Sequence, residues 1–173
     1  MNLTYETDRL LLRPMEERDM EQLLALLKND VIKQTYMIPD FPNEEAAIRL
    51  AQRFIALSQG EEKLVVGIAL EGRLIGFLNE TEKTDGCIEV GYALHPDCSG
   101  RGYMTEAFGA VINRLLESGV SCVSAGAFEE NAASIRVMEK CGMKRSGRTE
   151  TVAYRMKEHR CVYYTIEKTE AEA

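Results

Sequence analysis

The 173-residue chain reads as one α/β domain, a mixed and mostly antiparallel sheet flanked by helices. Three observations predict it. Apolar runs between residues 64 and 94 are joined by tight turns at Glu71-Gly72 and Thr84-Asp85-Gly86, the pattern of an antiparallel meander. A strand–helix–strand succession follows over Cys87 to Ala127, which requires one parallel pairing inside the sheet. No repeat, low-complexity tract or composition break divides the chain, so a single domain over residues 1–173 is expected.

Each element has its own signal. Arg9 to Arg13 reads as a strand ended by Pro14. Asp19 to Lys28 is helical, with Met20, Leu23, Leu24 and Leu27 on one face. Asn43 caps a second helix that Glu44 and Glu45 favour electrostatically and that runs to about Ser58. The strands Leu64 to Leu70, Arg73 to Asn79 and Cys87 to Leu94 form the meander. A helix from Tyr103 to Ser118, stopped by Gly119, carries Met104, Phe108, Val111 and Leu115 as its apolar stripe. Then come a strand from Ser121 to Ala127, a helix from Asn131 to Cys141-Gly142, and strands at Met143 to Thr149 and His159 to Glu167. The alternating apolar positions of Cys161 to Ile166 offer an edge for homodimerisation, a monomer being equally acceptable, and Lys168 to Ala173 reads as a frayed tail.

Composition excludes some classes of function. An apolar share of 45% and a charged share of 28% are those of a soluble globular chain, and a net charge of −7 disfavours DNA or RNA as the main partner. Neither a signal pattern nor a long apolar run appears, which points to the cytoplasm and away from a membrane. Five scattered cysteines without a C-x-x-C pair suggest free thiols, and two distant histidines, His95 and His159, make a metal centre an unfavoured reading.

The most informative string is Gly100-Arg101-Gly102-Tyr103-Met104-Thr105-Glu106-Ala107. A glycine turn enters a helix whose first amides have no partner inside it and whose dipole is positive at that end. Removing Cβ atoms lets the backbone approach a bulky anion, and Arg101 adds a full charge, so the segment reads as a pyrophosphate cradle. A structural turn before a helix has the same spelling. The dinucleotide fingerprint is excluded because Thr105 stands where its third glycine belongs, and the P-loop is excluded because no Gly-Lys-Ser/Thr string occurs. The cradle lies at the carboxyl end of the strand Glu89 to Leu94, where a parallel pair whose ends diverge leaves a ligand cleft. A second string runs from Asn131 through Ser134 and Met138 to Met143, and read alone it is a capped helix with a glycine stop.

Together these strings resemble the GNAT acetyltransferase superfamily, and within it the RimJ/RimL branch that acetylates protein N-terminal amines. The resemblance begins at Thr7-Asp8-Arg9-Leu10-Leu11-Leu12-Arg13-Pro14. It continues through Ile88 to Pro96, Gly100 to Ala107 and Asn131 to Met143. It implies the GNAT fold, with six to seven strands, four helices and a central splayed parallel pair, and acetyl-CoA as cofactor. The family's Gln/Arg-x-x-Gly-x-Gly/Ala motif corresponds to Asp97-Cys98-Ser99-Gly100-Arg101-Gly102, with Asp97 departing from the usual residue. By resemblance, the backbone of Tyr92, Ala93 and Leu94 bonds the pantetheine, Gly100, Arg101, Gly102, Tyr103, Met104 and Thr105 hold the pyrophosphate, and Asn131 and Ser134 touch the arm near the sulfur.

The chemistry implied is attack of a neutral amine on a thioester. At pH 7 the neutral form costs about 1.4 kcal/mol for an α-amine and about 4.6 kcal/mol for a lysine. Glu89, on the central strand, is the preferred base, with a raised pKa if partly buried; a strand carboxylate paired with a basic neighbour is the equal alternative. The oxyanion falls to a backbone N–H near Ala93 or Leu94. Met138 stands where many GNAT enzymes have a tyrosine, which leaves Ser134 to interact with the departing thiolate. Cys98 reads as a bystander. The acceptor site is expected on Asp19 to Gln59 and on the Thr149 to Glu158 connection, with Tyr36, Met37, Phe41 and Tyr154 lining it. The acceptor is an amine-bearing substrate, either a protein N-terminus or a small molecule such as a polyamine, amino acid or antibiotic. A CoA-binding sensor without catalysis is the reading from another class.

Overall fold

The computed structural model describes residues 4–168 of the chain. The strands are β1 (Tyr5–Glu6), β2 (Leu11–Arg13), β3 (Val65–Leu70), β4 (Arg73–Thr84), β5 (Cys87–Leu94), β6 (Cys122–Phe128), β7 (Lys144–Tyr154) and β8 (Lys157–Glu167). The helices are α1 (Met20–Leu27), α2 (Glu44–Gln59), α3 (Tyr103–Glu117) and α4 (Ala132–Lys140). One mixed sheet of eight strands has the order β1-β2-β3-β4-β5-β6-β8-β7. The strand beyond the expected six to seven is β1, whose two residues are too few to carry a period. All four expected helices are present.

Two compact units divide the chain: one holds residues up to Asn79 with Tyr92–Ala107, the other Glu80–Gly91 with the residues from Phe108 onward. In the first unit, β2 and β3 pair antiparallel with Leu12 opposite Ile68, and β3 and β4 close a hairpin at Leu70 and Arg73. Its core gathers Leu23, Leu26 and Leu27 from α1, Ala51 and Ile55 from α2, and Phe77 from β4. The rings of Tyr36 and Phe54 meet Phe77 edge-on, with centroids at 5.6 and 5.0 Å. Asn43 caps α2 by accepting the Ala46 amide at 2.9 Å. Beneath α1, Arg13 grips Asp19 through two bonds of 2.6 and 2.8 Å, with both side chains buried.

In the second unit, β5 and β6 run parallel from Cys87 opposite Cys122 to Glu89 opposite Ser124, which supplies the expected parallel pair. β8 lies antiparallel between β6 and β7.

Three expectations are corrected here. The connection placed at Thr149 to Glu158 is a tight hairpin, β7 reaching Tyr154 and turning at Arg155-Met156. That turn was illegible because both residues are left-handed, φ 50° and 60°, without the glycine or asparagine that normally marks such a turn. The last strand is not an edge, because β8 is paired on both sides and β7 is the outer strand. Cys87 and Cys122 are not free thiols: the parallel register sets them opposite each other, Cα atoms 4.4 Å apart, and they form a disulfide. Their separation of 35 residues gave no hint of it. Lys168 follows β8 with its amide on the Ser121 carbonyl at 2.9 Å, and the rest of the expected frayed tail lies outside the described residues.

Candidate active site

The turn at residues 99–102 is built on two left-handed glycines, Gly100 at φ 74° and Gly102 at φ 80°. A side chain at either would be strained, and the alternation turns successive amides toward one side, as in an anion-binding nest. The Glu106 amide bonds the Gly102 carbonyl at 3.0 Å, so Gly102 caps α3, and the amides of Tyr103 and Met104 have no partner within the helix. A Cβ at position 100 would meet no atom within 4 Å, so the space beside Gly100 is open.

A residue not singled out from the sequence completes this turn. Arg9, just before β2, donates from Nη1 to the Arg101 carbonyl at 2.8 Å and from Nε to Glu106 at 2.7 Å, and its guanidinium lies 4.5 Å over the Tyr103 ring. The Thr7 hydroxyl and the Arg9 amide both donate to Glu106 Oε1, at 2.5 and 2.8 Å. Burial would raise the Glu106 pKa, but the hydrogen bonds from Thr7 and Arg9 and the Arg9 charge outweigh it, and the carboxyl lies below its ordinary range. Arg101 contributes its carbonyl to Arg9. Asp97 sits in a 3-10 turn (Pro96–Cys98) beside His95, with its side chain 89% exposed. Tyr92, Ala93 and Leu94 end β5, and the following His95 amide bonds the Ile75 carbonyl at 2.8 Å.

The second unit holds the other predicted residues. Asn131 caps α4, accepting the Ser134 amide at 3.2 Å, so both stand at the helix start. Met138 is fully buried on α4 and has no proton to give. Glu89, mostly covered, is the strand carboxylate with a basic partner: Arg148 donates to Oε2 at 3.2 Å and the Thr81 hydroxyl to Oε1 at 3.0 Å. Arg148 also binds Glu150 at 2.7 Å and lies 3.9 Å over the Tyr163 ring. The hydrogen bond from Arg148 and then that from Tyr163 hold the Glu150 carboxyl below its usual range. Burial and the bond to Glu150 raise the Tyr163 phenol. At the end of β6, His159 stacks on Phe128 at 4.1 Å and shares a 2.6 Å bond with Glu130; Tyr154 joins this group.

Of the residues named for the acceptor, Tyr36, Met37 and Phe41 belong to the first unit and Tyr154 to the second. Tyr36 belongs to the core of the first unit, its hydroxyl on Asn79 at 2.5 Å and its pKa pushed up to about 12 by burial despite that bond. Phe41 packs beside Lys33, while Met37 is exposed. Cys98 is a free thiol near the cradle, and among the described residues no group of side chains could hold a metal. No described helix is long and apolar enough to cross a membrane.

Comparison with known proteins gives this geometry a family. The chain is 30% identical over 148 residues to the uncharacterized N-acetyltransferase YoaA of Bacillus subtilis, spanning 82% of this chain and 83% of that one. Its fold is similar to the microcin C7 self-immunity acetyltransferase MccE, solved in complex with acetyl-CoA and AMP, with a TM-score of 0.80, 18% identity and 93% of each chain covered. It is equally similar to RimL, the ribosomal L7/L12 α-N-protein acetyltransferase, with a TM-score of 0.80, 18% identity, and 93% of this chain and 91% of that one covered. The model of the acetyltransferase (GNAT) domain matches residues 9–144. The chain therefore belongs to the GNAT family of acetyltransferases, enzymes whose acetyl donor is acetyl-CoA.

Proposed function

We propose that the chain acts as one acetyltransferase domain that moves the acetyl group of acetyl-CoA to the α-amine of a protein or peptide N-terminus, as RimJ/RimL-type enzymes do. The observation that carries the donor half is the turn entering α3, with left-handed glycines at 100 and 102 and open space beside Gly100, where unpaired helix-start amides suit a diphosphate. Gly100, Arg101, Gly102, Tyr103, Met104 and Thr105 hold that group, and the backbone of Tyr92, Ala93 and Leu94 binds the pantetheine as an added strand. Acetyl-CoA, when bound, supplies the thioester acetyl. Asn131 and Ser134 stand by its sulfur, Ser134 giving a hydrogen bond to the leaving thiolate. Glu89 takes the proton from the attacking amine, directly or through a water, and an amide near Ala93 or Leu94 stabilises the oxyanion.

An α-amine is the favoured acceptor because its neutral form costs only about 1.4 kcal/mol at pH 7, within reach of a single carboxylate base. The likeness of Thr7–Pro14 to the RimJ/RimL branch and of the fold to RimL support it. The second reading, a small-molecule amine, draws on the equal likeness to MccE. A screen of N-terminal peptides and small amines, read as released thiol, tests the choice. Turnover is expected with peptides, turnover with small amines alone moves the assignment to the second reading, and coenzyme A binding without release under any acceptor leaves a sensor.

A further inference from the structure

Arg148 and Glu89 lie 59 residues apart in sequence, and their meeting needs an unusual construction. Arg148 is on β7, the outer strand, while Glu89 is on β5, and both β8 and β6 stand between. The register of β7 breaks where this reach begins. Arg145 is opposite Tyr164 and Thr149 opposite Val162, so Ser146, Gly147 and Arg148 all face Tyr163. This bulge is held by the Ser146 hydroxyl, which donates to the Tyr163 carbonyl at 3.2 Å and accepts the Arg148 amide at 3.3 Å. Gly147 takes the left-handed conformation, φ 82°, that lets the strand swing inward. The Tyr163 ring then carries the guanidinium, 3.9 Å above its centroid, and Gly126 beneath gives the ring room. A Cβ there would come within 2.7 Å of Tyr163 Cε1. An ordinary surface ion pair needs neither bulge nor ring, and bulges next to active sites commonly re-aim a side chain.

We propose that Arg148 is the positioning residue of Glu89, fixing one carboxylate oxygen so that the other faces the proton of the acceptor amine. This rests on the reading of Glu89 as base. Arg148 holds Oε2, Thr81 steadies Oε1 from its hydroxyl, and Glu150 and Glu82, at 2.7 and 3.8 Å, hold the guanidinium from its far side. As the C–N bond forms and the C–S bond breaks, the amine proton passes to Glu89, and Arg148 remains protonated throughout because a guanidinium does not titrate in this range. Arg148 touches neither donor nor acceptor in this scheme; its whole effect passes through Glu89.

A double-mutant cycle in kcat tests this, using Glu89→Gln, Arg148→Gln and both together, with acetyl-CoA affinity and melting temperature measured on each. Glu89→Gln is expected to lower kcat about 100-fold, the scale of a lost general base, and Arg148→Gln about 10-fold, with acetyl-CoA affinity unchanged. The double variant should be no slower than Glu89→Gln alone, and Arg148→Lys should recover part of the loss. A double variant slowed by the product of the two single effects overturns the positioning role while leaving Glu89 as base. An unchanged kcat for Glu89→Gln overturns the base itself, and the role of Arg148 with it. A melting temperature, an acetyl-CoA affinity and a kcat that all fall together in Arg148→Gln assign the arginine to structure and also overturn the proposal.

Discussion

Glu106 anchors the segment before β2 to the start of α3 through a single carboxylate. It sits in the first turn of α3, where a carboxylate suits the positive helix end, and it receives Thr7 and both the amide and guanidinium of Arg9. Arg9 in turn fixes the Arg101 carbonyl, so the orientation of the glycine turn depends on Glu106. Glu106→Gln should therefore weaken acetyl-CoA binding by about 10-fold, or about 1.4 kcal/mol, by calorimetric titration, with kcat at saturating donor little changed. An affinity equal to the parent protein would show that the turn is rigid without the clamp.

At the scale of elements, the entry into α1 depends on the buried Arg13–Asp19 pair. Burial alone would raise the Asp19 pKa, but the Arg13 hydrogen bonds, the Glu16 amide and the arginine charge overcome this and lower it. The sign follows from linkage. A carboxyl whose folded pKa lies below its unfolded value, about 3.9, contributes stability that is complete above that value and is lost as pH falls through the folded one. Urea unfolding should show the midpoint falling as pH drops below about 4, and Asp19→Asn should flatten that dependence. Asp19→Ala should cost about 3–5 kcal/mol at pH 7, because it leaves a buried guanidinium without its partner. A loss below about 1 kcal/mol would mean that water replaces the carboxylate.

For the whole molecule, the Cys87–Cys122 bond closes a loop of 35 residues that contains all of α3. Chain-entropy reasoning gives such a crosslink about 3–4 kcal/mol. Denatured without reductant, the protein should react with a thiol reagent at three cysteines, Cys98, Cys141 and Cys161, and after reduction at five. Five reactive thiols before reduction would sink the crosslink. With it intact, the melting temperature should fall on adding reductant, and Cys87→Ala should melt as the reduced parent does.

Period, caps and glycine turns determined most of the elements from sequence alone. Asn43 and Asn131 announced the starts of α2 and α4, Glu71-Gly72 announced the β3–β4 hairpin, and Gly100-Arg101-Gly102 announced the turn into α3, because each acts through backbone geometry within a few residues. Tertiary structure decided what long-range register decides. The pairing of Cys87 with Cys122, the grip of Arg9 and Thr7 on Glu106, and the reach of Arg148 to Glu89 join residues 35 to 99 positions apart. No local period records such partners. They are set only when the strands align and a bulge or a missing Cβ lets one side chain cross to another.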